Sequence, residues 1–216
     1  MKESRGRKKR KYDSTRRKAQ SLETQMQIVE AAGKLFIERG YIGTSIEKIA
    51  GEAGVAAETI YSIFGNKKSI LTRVVDVAVV GDGELIPLLA RAKIREVENE
   101  KDQNRQIQMF VEQIQLVMSR VAPMFNVMRG VVKAEPEIDV VLKKYLDGRL
   151  QGMGYFIDQL TANGPLRKGL DKQIAATTIW GLTSAEVYNL YINDRGWSAE
   201  EYQHWLADTL IRLLLP

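Results

Sequence analysis

Cysteine is absent from the 216 residues and histidine occurs once, at His204. Without thiols there is no disulfide framework and no thiolate nucleophile, and one imidazole cannot assemble a zinc site of the His/Cys type. Neither a metal nor a cofactor is expected. Long apolar runs are missing too: no stretch approaches the roughly 18 residues that a membrane-spanning helix requires, and the basic N-terminus is not followed by an apolar signal segment. A cytoplasmic protein that does not engage a membrane is expected. The chain also lacks a glycine-rich phosphate loop, a paired-carboxylate motif and a Ser/His/Asp arrangement, so catalysis has no visible machinery. A helical hydrolase or transferase would have to rely on His204, which has no evident nucleophile beside it.

What is present is ordinary in amount and uneven in placement. The hydrophobic fraction is 44% and the charged fraction 27%, as in a globular protein with a buried core. Residues 1–20 hold ten Lys or Arg against Glu3 and Asp13, a net charge of +8; the other 196 residues hold 22 basic and 25 acidic side chains, a net charge of −3. An acidic body with a basic arm suits a polyanionic partner met at one end, and nucleic acid is the natural candidate. The arm has almost no apolar residues and reads as disordered.

From Glu23 onward the apolar residues recur with helical spacing. Ile28, Val29, Ala32, Leu35 and Phe36 line one face of a helix that Gly40 stops. Thr44-Ser45-Ile46-Glu47 reads as a capping box opening a second helix, with Ile46, Ile49, Ala50 and Ala53 on its inner side. A short third helix is expected over residues 57–64 and a fourth over 67–80. Beyond them no segment alternates as a strand would, so an all-α fold is expected: a three-helix N-terminal head and a larger helical body, about nine helices in total. The corresponding domains are a basic arm at 1–20, a DNA-binding head at 21–67 and an effector-binding and dimerisation domain at 68–216.

Function is carried by Ile49, Ala50, Ala53, Gly54, Val55, Ile60 and Ile63. Two helices that cross through a short turn need a small residue where they touch, Ala50, and a residue tolerant of positive φ in the turn, Gly54. Ile60 and Ile63 then anchor the second helix, which leaves Ala57, Glu58, Thr59, Tyr61 and Ser62 facing outward. Such a face can enter a major groove. Lys67 and Lys68 stand in the first turn of the fourth helix, where the macrodipole disfavours cations, and phosphate contact would account for them. Thr44 and Ser45 lie at the same edge.

Residues 25–75, with Arg39-Gly40-Tyr41, Thr44-Ser45-Ile46, Ala53-Gly54-Val55, Thr59-Ile60-Tyr61 and Asn66-Lys67-Lys68, resemble the DNA-binding domain of the TetR family of bacterial regulators. The resemblance implies a homodimer that covers a double-stranded operator with two recognition helices, usually repressing, and leaves it when an effector enters the C-terminal domain. It further implies phosphate contacts from Thr44, Ser45 and Lys67, with Thr59 and Tyr61 at the groove. Two features depart from the family pattern. Ala56 stands where Ser or Thr usually caps the recognition helix, and Ala57-Glu58 stand where a basic residue often precedes glycine. With so little positive charge on that helix, Arg7, Lys8, Lys9 and Arg10 of the arm become the expected source of affinity, and Glu58 a potential acceptor for a cytosine amine.

In the body, the last helix carries Trp205, Leu206, Thr209, Leu210 and Leu213 on one stripe, and the preceding segment offers Ala176 and Ser184 for close crossing. These seven are the expected dimer contacts. Met118, Phe125, Met128, Met153, Phe156, Trp180 and Tyr188 are the expected effector pocket, since methionines and aromatics can line an adaptable apolar site. The rival to an effector-responsive regulator is an architectural or partner-recruiting DNA-binding protein without a small-molecule site.

Overall fold

The structure is a computed structural model that describes residues 14–81 and 92–216. The expected phosphate contacts of Arg7, Lys8, Lys9 and Arg10 lie outside the described residues. Within them the fold is all-α, without strands. Four helices form the head: α1 (Ser14–Gly43), α2 (Ile46–Ala53), α3 (Ala57–Phe64) and α4 (Lys67–Val80). The body holds α5 (Ala92–Asn99), α6 (Gln103–Val131), α7 (Pro136–Asn163), α8 (Lys172–Leu182), α9 (Ala185–Asn189) and α10 (Ala199–Leu214). A π-helical turn, Leu190–Asp194, follows α9 directly.

Helix α1 begins nine residues before the expected start at Glu23 and takes in part of the basic segment. Arg, Lys, Ala and Gln between residues 16 and 20 are good helix formers, so a helix anchored downstream propagates back into them. Gly40, at φ +69°, ends the regular helix where the sequence places its stop. The core of the head is Ile28, Ala32, Phe36, Ile49, Ile60, Ile70 and Leu71, all fully buried.

Helix α6 is the central mast of the body and packs against α1, α4, α7, α9 and α10. Its inner stripe of Ile107, Val111, Met118, Val121, Met124, Phe125 and Met128 is almost wholly buried. At the far end the Gln103 amide donates to the Leu160 and Gly164 carbonyls and closes the C-terminus of α7. A Cβ at Gly164 would stand 2.6 Å from the Gln103 side-chain oxygen, so a larger residue there would push that amide aside.

Between Gly169 and Gly196 the apolar spacing predicts one helix over residues 171–191, but the structure breaks it at Thr183. The Thr183 side chain, fully buried, donates to the Ile179 carbonyl, and Ser184 takes an extended conformation that caps α9 by accepting from the Val187 amide. Side chains that bond locally to the backbone favour helix ends, and two in succession outweigh the apolar periodicity on either side. Ser198-Ala199-Glu200-Glu201 has the spacing of a capping box, and the box forms at the start of α10 with bonds of 3.1 and 2.7 Å.

Candidate nucleic-acid interface and effector cavity

The turn between α2 and α3 is closed by Gly54, at φ +67° and ψ 29°, and by the Val55 amide, which donates to the Ala50 carbonyl at 3.0 Å. Ile60 is fully buried under α3, and Ile63 and Phe64 pack beside it. On the opposite side Glu58, Tyr61 and Ser62 share one exposed face, with Ala57 and Thr59 half-buried at its margins. Tyr61 is 50% exposed, so its ring stands out from that face. The first turn of α3 lacks a side-chain cap at Ala56, as the sequence implies.

Two expected phosphate ligands are committed elsewhere. Thr44 is fully buried and does not cap α2; its hydroxyl donates to the Leu35 and Gly40 carbonyls at 3.1 and 2.9 Å and fastens the end of α1. The cap is Ser45, which accepts from the Lys48 amide. The Glu47 carboxyl is held below its usual range by backbone bonding and by the Ser45 hydroxyl. Lys67 donates to the Tyr41 and Thr44 carbonyls at 2.9 and 3.0 Å, and its ammonium lies 4.2 Å from the Tyr41 ring centre. Burial lowers its pKa, while Glu135 and Glu137 oppose that shift. The charge that is unfavourable at a helix N-terminus is therefore a staple between α4 and the α1–α2 turn. Lys68 pairs with Glu137 at 3.4 Å and links the head to α7.

Further bonds carry that link along α4. The Tyr145 hydroxyl of α7 donates to the Asp76 carboxylate at 2.6 Å and lies 3.0 Å from the Thr72 carbonyl. Burial, then the Asp76 carboxylate, raise its pKa well above the ordinary phenol value. Arg120 of α6 donates to the Ala78 carbonyl at 2.8 Å.

Between α5, α6 and α7 lies a cavity of about 110 Å3. Ile94, Val97, Phe110, Ile114, Met153 and Phe156 supply its apolar walls, and the Phe110 and Phe156 rings stack at 3.9 Å. Only Met153 and Phe156 of the seven expected pocket residues reach it. Met118, Phe125, Met128 and Tyr188 are core, and Trp180 packs on α7 with its indole N–H donating to the Leu146 carbonyl. The missed wall is α5 together with the Phe110–Ile114 side of α6. Its residues carry the same apolar stripe as core, and the short α5 has too few residues to announce a cavity.

The expected dimer stripe also faces inward in part. Leu206 and Leu210 are fully buried because α10 packs its apolar side on α6, and Ala176 is 6% exposed on α8, which packs on α7. Ser184 is spent on the α9 cap. Trp205, Thr209 and Leu213 remain half-buried. Trp205 packs against Tyr191 with 4.1 Å between ring centres.

Residues 28–74, the span from the core of α1 through most of α4, match the family model described as bacterial regulatory proteins, tetR family. That segment is a TetR-family DNA-binding domain. The chain is a DNA-binding transcriptional regulator, and its likeness to such proteins reaches past the head. The fatty acid metabolism regulator protein of Bacillus subtilis (strain 168) is 24% identical over 198 residues, which are 86% of this chain and 93% of that protein. The TetR-family regulator PfmR of Thermus thermophilus superposes with a TM-score of 0.63 at 23% identity, over 86% of this chain and 97% of its own. The regulator FadR of Bacillus subtilis, solved in complex with stearoyl-CoA, superposes with the same score, identity and coverage. These relatives are transcriptional regulators, and the TetR fold is shared along most of the chain. Among the described residues no helix is long and apolar enough to cross a membrane.

Proposed function

We propose that this chain is a homodimeric TetR-family repressor that binds a palindromic operator and is released by a small hydrophobic or amphipathic effector. The reading rests on one observation: an outward α3 face and an apolar cavity at α7 are joined by the bonds of α7 to α4. Glu58, Tyr61 and Ser62, with Ala57 and Thr59 beside them, read bases in the major groove. Ser45, Lys68 and the arm, including Arg7, Lys8, Lys9 and Arg10, take phosphates. The functional division is the arm at 1–20, the DNA-binding part at 21–67 and the effector-binding and dimerisation part at 68–216, so that α4, packed within the head, belongs by function to the latter.

An effector acts through α7. The cavity is smaller than the roughly 150 Å3 of an apolar void known to take up benzene, so a longer tail must part α7 from α5 and α6. Tyr145 lies eight residues before Met153, about 12 Å along the helix, and displacement at the cavity reaches Asp76 through it. Dimerisation uses the half-buried Trp205, Thr209 and Leu213 of α10 and the adjoining face of α8, where Ile174 is 55% exposed. The relatives' connection with fatty acid metabolism supports an effector with a hydrocarbon tail.

Anisotropy titration of a fluorescent operator tests the whole reading. Medium-chain amphiphiles are expected to raise the apparent Kd of the protein for DNA by tenfold or more, and Phe156→Trp, which fills the cavity, to blunt that response. Release by none of them, with DNA binding intact, would favour the architectural rival.

A further inference from the structure

Resting on the reading of the α5–α7 cavity as the effector site, we infer that it takes an amphiphile with an uncharged, hydrogen-bonding head and rejects one with a carboxylate or phosphate head. The polar groups at the cavity decide this. Among the described residues no Lys or Arg lines it, whereas the Glu98 carboxylate does. Glu98 accepts a 3.0 Å hydrogen bond from the Tyr155 hydroxyl, spanning from α5 to α7. Tyr155 is exposed and Glu98 half-buried at the rim, so an entering head meets a fixed negative charge there. The nearby ammonium of Lys93 is paired with Glu96 and belongs to neither wall.

The remaining polar groups are neutral amides. Gln106, fully buried, is engaged: its Nε2 donates to the Val97 carbonyl and its Oε1 accepts from Asn163. Gln113 and Gln159 also line the cavity, half-buried, and make no side-chain hydrogen bonds to the described residues. Each offers both a donor and an acceptor, which a hydroxyl, ester or amide head can satisfy without the cost of an unpaired charge. A carboxylate would lose its hydration for two neutral donors while standing near Glu98, and like charges at such range repel. A cation could pair with Glu98 only at the rim and would leave the N–H donors of both amides without an acceptor.

A series with one tail and different heads tests the assignment: octanol, octanoate, octyltrimethylammonium and octanoyl-CoA, each followed by calorimetry and by release of operator from the full chain. Octanol is expected to bind at least tenfold more tightly than octanoate and octanoyl-CoA. Glu98→Gln should collapse that ratio severalfold, and Tyr155→Phe, which leaves the carboxylate without its phenol donor, should widen it. Gln113→Leu with Gln159→Leu should weaken octanol in particular. Equal or tighter binding of octanoate or octanoyl-CoA overturns the inference while leaving the effector site standing, and so does a tenfold preference for the ammonium. If no member of the series binds, the effector reading itself fails and the inference falls with it.

Discussion

Thr44 and Ser45 are neighbours with similar hydroxyls and opposite tasks. The Thr44 hydroxyl holds two carbonyls in the core of the head, whereas that of Ser45 caps α2 at its surface. Replacing Thr44 by valine preserves shape and removes the donor, so the loss should be about 1–3 kcal/mol in urea unfolding. The salt dependence of operator binding should stay as it is, because the buried hydroxyl meets no phosphate. Ser45→Ala should cost about 1 kcal/mol of stability and also weaken DNA binding, since this hydroxyl lies at the accessible edge. A reversed pattern, with Thr44→Val altering the salt slope, would return Thr44 to the phosphate ligands. Tyr41 adds a pH dependence. Burial, reinforced by Glu137 and Glu135, pushes its phenol up to about 12 from 10.0. Its folded pKa lies above the unfolded one, so its contribution is fully present below pH 10 and is lost as pH rises towards 12. Denaturant midpoints measured across that window should fall, and those of Tyr41→Phe should fall less steeply.

At the scale of elements, α7 is the part through which the body addresses the head. It carries cavity residues at 152–159, Arg149 one turn earlier and Tyr145 one turn before that. Arg149 donates to the Trp180 and Thr183 carbonyls at 3.2 and 2.8 Å, so it fastens α7 to the break between α8 and α9. Its burial lowers the guanidinium pKa to about 10, with Glu186 opposing the shift. Tyr145→Phe should remove a hydrogen bond to a carboxylate, a loss of about 1.5–3 kcal/mol, while retaining the ring beside Phe125. If α7 transmits effector binding through this bond, the variant should still bind amphiphiles by calorimetry and respond to them several times less in operator release. Undiminished release would assign the coupling to Lys68–Glu137 or Arg120 instead. The apolar rows of these helices are visible in the sequence, but their polar cross-links join residues up to 73 positions apart and have no periodic trace.

For the whole molecule, the contrast between basic arm and acidic remainder sets how it meets DNA. Deleting residues 1–18 removes ten Lys or Arg. The truncated protein should bind operator more weakly, and the slope of log K against log salt should flatten by several units, in proportion to the number of phosphates that the arm neutralises. An unchanged slope would place phosphate binding in the head. Light scattering should give twice the chain mass of 24.4 kDa at micromolar concentration. Glu58→Gln, tested on operators permuted at single positions, should relax any preference for cytosine by about 1–3 kcal/mol.

The all-α class, the bounds of α3 and α4, the stop at Gly40, the Ser198 capping box and the helix-turn-helix were all determined by sequence alone. Each depends on residues within a few turns of one another, where spacing and backbone preference act directly. Tertiary structure decided which side chains are free. Thr44 and Lys67 have the chemistry of phosphate ligands and are used up by carbonyls at the end of α1 and in the α1–α2 turn. Leu206 and Leu210 have the pattern of an interface and are covered by α6. Met118, Phe125 and Met128 look like a pocket, yet the cavity opens one face away, where α5 meets α7. A residue's type states what it can bond, but burial by distant helices decides what it does bond.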